Sequence, residues 1–134
     1  MVANKDLSEK DYVSLEAAKA LKGIGFNIPT HTHYHIRDDK VYVGLSSNPE
    51  HWGCEYENVI DRPILQKAKE YLRDVRCVSL RISKSLLTGQ WFYDYLDLVD
   101  GSCLDSDDYY DDYNDAVNAG ICEICNYIKM DSRH

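Results

Sequence analysis

Two alternating runs flank one turn, and they constrain the fold more than any other feature. In Arg76-Cys77-Val78-Ser79-Leu80-Arg81-Ile82-Ser83, the apolar Val78, Leu80 and Ile82 alternate with Cys77, Ser79, Arg81 and Ser83. In Gln90-Trp91-Phe92-Tyr93-Asp94-Tyr95-Leu96, the rings of Trp91, Tyr93 and Tyr95 share one parity, and Phe92 and Leu96 share the other. Successive strand side chains point to opposite faces, so each run reads as a half-buried strand. Residues 84–89 turn at Gly89, and an antiparallel hairpin is the simplest way to join the two.

Helical spacing brackets this hairpin. Ile64, Leu65, Ala68, Tyr71, Leu72 and Val75 recur on one face, with Asp61 as the expected cap and Pro63 in the first turn, where its missing N–H costs nothing. A longer stripe of Tyr113, Ala116, Val117, Gly120, Ile121, Ile124 and Ile128 predicts a last helix from Tyr109 or Tyr110 to Lys129. Gly120 weakens an isolated helix by ~1 kcal/mol relative to Ala, which points to close packing against a sheet. Near the N-terminus, Ser14 is a good N-cap for Leu15–Lys22, Val13 can staple onto Ala18, and Gly23 ends the helix.

A second hairpin is expected between the first two helices. Thr30–Ile36 forms one strand and Val41–Leu45 the other, joined by the polar turn Arg37-Asp38-Asp39-Lys40. His31, His33 and His35 would share one face, with Thr32, Tyr34 and Ile36 on the core side. Val41, Val43 and Leu45 form an apolar parity on the second strand. Residues 46–60, with His51, Trp52, Cys54 and Tyr56, read as a long irregular loop of the kind that carries function or covers a sheet edge. The predicted order is α-β-β-α-β-β-α, a single α+β domain over residues 1–134, in which residues 1–12 are a polar arm or a first helical turn and antiparallel hairpins pack against helices.

Charge narrows the function classes. A net charge of −8 argues against general binding of a phosphate backbone. No apolar run approaches the ~20 residues that cross a bilayer, and the first residues lack the layout of a secretory signal, so a cytoplasmic protein is expected. Five cysteines, an odd number, do not suggest a disulfide framework. Cys122-x-x-Cys125 lies within a helical pattern and has no second ligand pair at zinc spacing. There is no phosphate-binding glycine loop, dinucleotide fingerprint or nucleophile elbow, so the chain reads as non-enzymatic.

Three surfaces remain as candidates. His31, His33 and His35 offer imidazoles at a spacing that suits a transition metal, and His51 and Cys54 are the donors that could complete the shell. No cofactor is otherwise expected. The second surface is acidic: from Ser85 to Ile128 there are ten acids and no Lys or Arg. Within it, Asp105, Asp107, Asp108, Asp111, Asp112 and Asp115 crowd the start of the last helix, where carboxylates complement the helix dipole. The EF-hand pattern fails there, because the sixth-position glycine and terminal Glu are missing. A docking face for a basic protein partner is the alternative use of Asp107, Asp108, Asp111 and Asp112. The third surface is the aromatic parity Trp91, Tyr93 and Tyr95, which could anchor a partner, form a homodimer interface or fill the core.

Three segments carry a resemblance: Ser14-Leu15-Glu16-Ala17-Ala18 through Gly25-Phe26, Pro63–Arg73, and Tyr109-Tyr110-Asp111-Asp112-Tyr113-Asn114-Asp115-Ala116 followed by Gly120-Ile121. Together with Trp91-Phe92-Tyr93 they resemble a loose group of small, uncharacterised proteins of Bacteroides-type gut bacteria, their phages and mobile elements. The chain departs from that group at Tyr71, where a tryptophan is common, and in its histidine strand. The resemblance implies an accessory protein working in a bacterial cytoplasm and implies no reaction. The expected function is therefore protein–protein interaction through the acidic and aromatic surface. A metal- or small-ligand-binding domain built on the histidine strand is the alternative.

Overall fold

The structure, a computed structural model, describes residues 9–45, 59–106 and 108–130. Among the described residues the fold is α+β, with three helices and two three-stranded antiparallel sheets. After a short 3-10 turn at Glu9–Asp11 come α1 (Leu15–Gly23), β1 (Thr32–Arg37), β2 (Lys40–Leu45), β3 (Val59–Asp61) and α2 (Leu65–Asp74). They are followed by β4 (Val78–Lys84), β5 (Trp91–Asp97), β6 (Cys103–Asp105) and α3 (Tyr113–Met130).

The first sheet has the order β2-β1-β3 and the second β4-β5-β6. In the first, Arg37 pairs with Lys40 across a two-residue turn in which Asp38 and Asp39 take φ of 51° and 63°. Two consecutive positive φ values make the tight turn that matches strand twist, and Asp tolerates that conformation better than most residues. In the second sheet Leu80 lies opposite Tyr95 and Ile82 opposite Tyr93, so the apolar parities meet on one face.

α3 organises the core. It packs across β4 and β5 and also meets α1 and α2. Its stripe Ala116, Val117, Gly120, Ile121, Ile124 and Ile128 is buried, and Cys125 joins it. α1 contributes Ala17, Ala18 and Leu21, and α2 contributes Leu65, Ala68, Tyr71 and Leu72. On α1 the Ser14 hydroxyl accepts a 3.2 Å hydrogen bond from the Ala17 N–H, as its place in the sequence predicts. Tyr34 and Ile36 of β1 pack against this core, and the Tyr34 hydroxyl donates to the Val13 carbonyl at 2.6 Å.

Several boundaries differ from the sequence expectation. Asp61 does not cap α2: it is the buried last residue of β3, opposite His33, and α2 starts after Ile64 with no side-chain cap. β3 and β6 are three-residue strands inside stretches read as loop and connector. They escape a periodicity test because three residues show no period, and their sole signature is pairing with a longer neighbour. α3 starts at Tyr113 because Tyr110 is held as an extended bridge partner of Trp91. Val75 is exposed because α2 ends at Asp74, and the chain then reverses through Cys77 at φ 62°. Cys77 takes the left-handed conformation that a glycine usually supplies, which is why no glycine marks this helix end. Val41, Val43 and Leu45 are exposed on β2, which among the described residues pairs with β1 alone.

Candidate functional site

The histidine strand starts later than expected, because β1 runs from Thr32 to Arg37 and includes His33 and His35 but not His31. His31 sits at a bend before β1, exposed, while His33 is buried and His35 half-buried within the strand. His33 pairs with Gly44 on one side and Asp61 on the other. Its ring lies over Gly44, so a Cβ on Gly44 would stand 3.1 Å from Nε2. Burial lowers the His33 pKa, and neighbouring His35 lowers it further. Burial raises that of Asp61, against the Thr30 hydroxyl and Lys22, which pull it down. Among the described residues, the one group of three ligand-type side chains with ligand atoms within 4.8 Å of one another is Asp94, Cys103 and Asp105, not the histidines. His51 and Cys54 lie outside the described residues.

The Asp94 group is an extension of a cross-strand pair. Arg81 donates from Nε to Asp94 Oδ1 at 3.0 Å and from Nη2 to Oδ2 at 2.7 Å. Arg81, Asp94 and Asp105 stand opposite one another on the face of the second sheet away from α3, beside Cys103. A two-point guanidinium–carboxylate bond already neutralises the central carboxylate, which disfavours a cation there.

The aromatic parity of β5 divides. Tyr93 and Tyr95 are 4% and 2% exposed and form part of the core, whereas Trp91 is half-buried at the strand's start. The Tyr93 hydroxyl donates to Glu123 at 2.6 Å, and burial followed by that bond raises its pKa. The surface rings are those of Tyr109 and Tyr113, which pack edge-on against Phe92 and Trp91 with centroids 5.6 and 5.2 Å apart. Sequence parity pointed to the strand and missed these two, because their exposure depends on where α3 begins.

The acidic run lines the edge from β6 to the first turn of α3. Asp105, Asp108, Asp111 and Asp115 are exposed and Asp112 is half-buried; Asp107 lies outside the described residues. None of the five forms an ion pair among the described residues, although Gln90 donates to Asp111 at 2.9 Å. The basic groups near this edge are Lys84, over the Trp91 ring at 5.4 Å, Lys69, in a groove beside Tyr113, Lys10, in a hollow with Asp112 and Asp115, and Arg81, which is held by Asp94 and lies near Asp105. Asp112 precedes the helix and Asp115 lies in its first turn, so the dipole accounts for these two but not for Asp105 or Asp108.

Sequence reading also missed Arg62. It directly follows β3 and is 3% exposed. Its N–H donates to the Thr32 carbonyl at 3.1 Å, and the Thr32 hydroxyl donates back to the Arg62 carbonyl at 2.8 Å. The guanidinium lies over the Tyr12 ring at 4.0 Å and near that of Tyr34 at 5.4 Å. Its Nε and Nη2 are buried and make no hydrogen bond. The Glu9 carboxylate stands 3.1 Å from Nη2, near enough for an ion pair but without hydrogen-bond geometry. Arg62 lines a cavity of about 340 Å³ with Phe26, Ile28, Pro29 and Ile64. No sequence signal marks such a residue, because a lone Arg beside a proline is ordinary surface chemistry until the fold buries it.

Comparison with family models, with curated proteins and with solved structures finds no match for this chain.

Proposed function

We propose that this protein is a non-enzymatic interaction module whose acidic, tyrosine-bearing edge docks a basic segment of a partner protein. In keeping with the resemblance of its sequence, it serves as an accessory protein of a phage or mobile element. One observation supports the reading: Asp105, Asp108, Asp111 and Asp115 are exposed along one edge and form no ion pair among the described residues, and the rings of Tyr109 and Tyr113 stand among them, 56% and 38% exposed. Fixed carboxylates of one sign steer and orient a basic partner, and tyrosine adds contact area with little side-chain entropy to lose. Phe92 and Trp91 hold both rings edge-on, so the surface is formed before a partner arrives.

The test is an NMR titration of the labelled protein with an arginine-rich peptide. The proposal expects shifts concentrated in residues 105–115 and the flanking Trp91 and Phe92, fading as salt is raised. Shifts spread evenly over every acidic patch, including the Asp38-Asp39 turn, would count against it.

A further inference from the structure

We propose that Leu86 and Leu87, in the turn between β4 and β5, are the apolar anchor of the acidic docking edge, so that the partner segment is basic and also carries apolar side chains. This inference rests on the edge being the docking face and names what that face selects. The two leucines are 100% and 97% exposed. A lone exposed leucine is ordinary, whereas two adjacent ones with almost no protein contact form a patch.

The turn does not need them. The Ser85 N–H donates to the Gln90 carbonyl at 2.8 Å, the Gly89 N–H to the Ser85 carbonyl at 2.9 Å, and the Thr88 N–H to the Ser85 hydroxyl at 3.3 Å. Gly89 supplies the positive φ, 75°, that closes the loop. Ser, Asn or Asp at positions 86 and 87 would suit the same backbone and be better solvated. The leucines therefore stand on a turn that is already formed, which lowers the ordering cost of using them in binding.

Hydrogen bonds tie this tip to the acidic edge. Gln90 closes the turn with its carbonyl, and its side-chain amide donates to Asp111 Oδ1 at 2.9 Å. Trp91, the next residue, exchanges two 2.7 Å backbone bonds with Tyr110, and its ring meets that of Tyr113 with centroids 5.2 Å apart. Leu87 is three residues from Gln90, a reach of at most about 10 Å. One short segment of a partner therefore spans the leucines and the carboxylates together.

Charge chooses the occupant. The tip opens the stretch from Ser85 to Ile128, which has ten acids and no Lys or Arg. Lys84, on the other side of the turn, lies over the Trp91 ring. Carboxylates beside the tip repel an anionic lipid surface, and a second copy of the chain brings a net charge of −8. A basic protein segment is attracted to the same carboxylates and gains further when its own apolar side chains cover the leucines.

Two peptides with the same arginines are the probes, one with leucines between them and one with serines in their place, titrated into the full chain and followed by NMR. The native protein should bind the leucine peptide about tenfold more tightly than the serine peptide. The double variant Leu86→Ser, Leu87→Ser should bring the leucine peptide down to the affinity of the serine peptide, and leave the serine peptide within about twofold of its native affinity. It removes side chains with almost no protein contact, so it should keep the native urea midpoint. Leu86→Ser alone should lose part of the preference. Equal affinity of the native protein for the two peptides, or a leucine preference that survives the double substitution, would overturn the inference, while shifts in residues 105–115 with the serine peptide would leave the edge reading standing. Absence of shifts there with either peptide would overturn both. Binding to vesicles of phosphatidylcholine and phosphatidylglycerol, or concentration-dependent self-association, that is lost in the double variant would assign the tip to a membrane or to a second copy and would also overturn the inference.

Discussion

Gly120 on α3 faces Leu80 on β4 so closely that a Cβ at position 120 would stand 2.6 Å from Leu80 Cδ1. The same methyl would lie 3.3 Å from Tyr93 Cγ, which cannot move without its ring. The helix therefore sits directly on the hairpin, and the glycine is there for the approach. Gly120→Ala would gain up to ~1 kcal/mol of helix propensity but lose ~1–3 kcal/mol to overpacking. The expected net is a loss of up to ~2 kcal/mol in urea unfolding once the full propensity gain is subtracted. Gly23→Ala serves as the contrast, since its Cβ meets nothing nearer than Lys129 Nζ at 3.7 Å, and it should be neutral or stabilising.

This contact was legible in the sequence, and so was most of the core. Gly120 interrupts an apolar stripe at helical spacing, and Val78, Leu80 and Ile82 alternate at strand spacing; each pattern repeats often enough to fix its element. The candidate sites were less legible. Convergence of His31, His33 and His35 with a further ligand depends on long-range placement, and strand parity says nothing about it. Arg62 becomes a buried cation through the fold of Tyr12 and Tyr34 around it, residues 50 and 28 positions away in the chain. Pairings at that separation leave no local pattern.

His33 and Asp61, cross-strand partners, should give stability two opposed pH slopes. Burial, aided by His35, holds the folded-state pKa of His33 below 6.5, so on acidification the unfolded chain takes up that proton first. Stability should fall as pH drops from 6.5 toward the lowered value. Burial holds Asp61 above 3.8, so the folded protein keeps a proton that the unfolded chain has already released. That stabilisation is present at low pH and is lost as pH rises through the raised value. Urea midpoints measured against pH should lose the upper slope in His33→Gln and the lower slope in Asp61→Asn. Unchanged profiles would contradict the assignment.

Tyr127 closes a buried polar bond at the end of β5. Its hydroxyl donates to Asp97 Oδ2, while the Val99 N–H donates to Oδ1 at 2.9 Å, and Asp97 is 0% exposed. Removing one donor from a buried carboxylate costs ~1–3 kcal/mol. Tyr127→Phe should lower stability by about that amount in urea unfolding while leaving the circular dichroism spectrum unchanged.

The acidic edge is the central claim, and location separates it from bulk charge. One variant neutralises Asp108, Asp111 and Asp115 on the edge; the other neutralises Glu16, Asp38 and Asp39, exposed on α1 and the first hairpin. Each removes three of the negative charges behind the net −8. The decisive measurement is the affinity of both variants for one arginine-rich peptide across a salt series. The account predicts that the edge variant loses about tenfold in affinity and most of its salt dependence, while the control stays within about twofold of the native protein. Equal losses in the two variants would contradict it, because the peptide would then be reading net charge and not this surface.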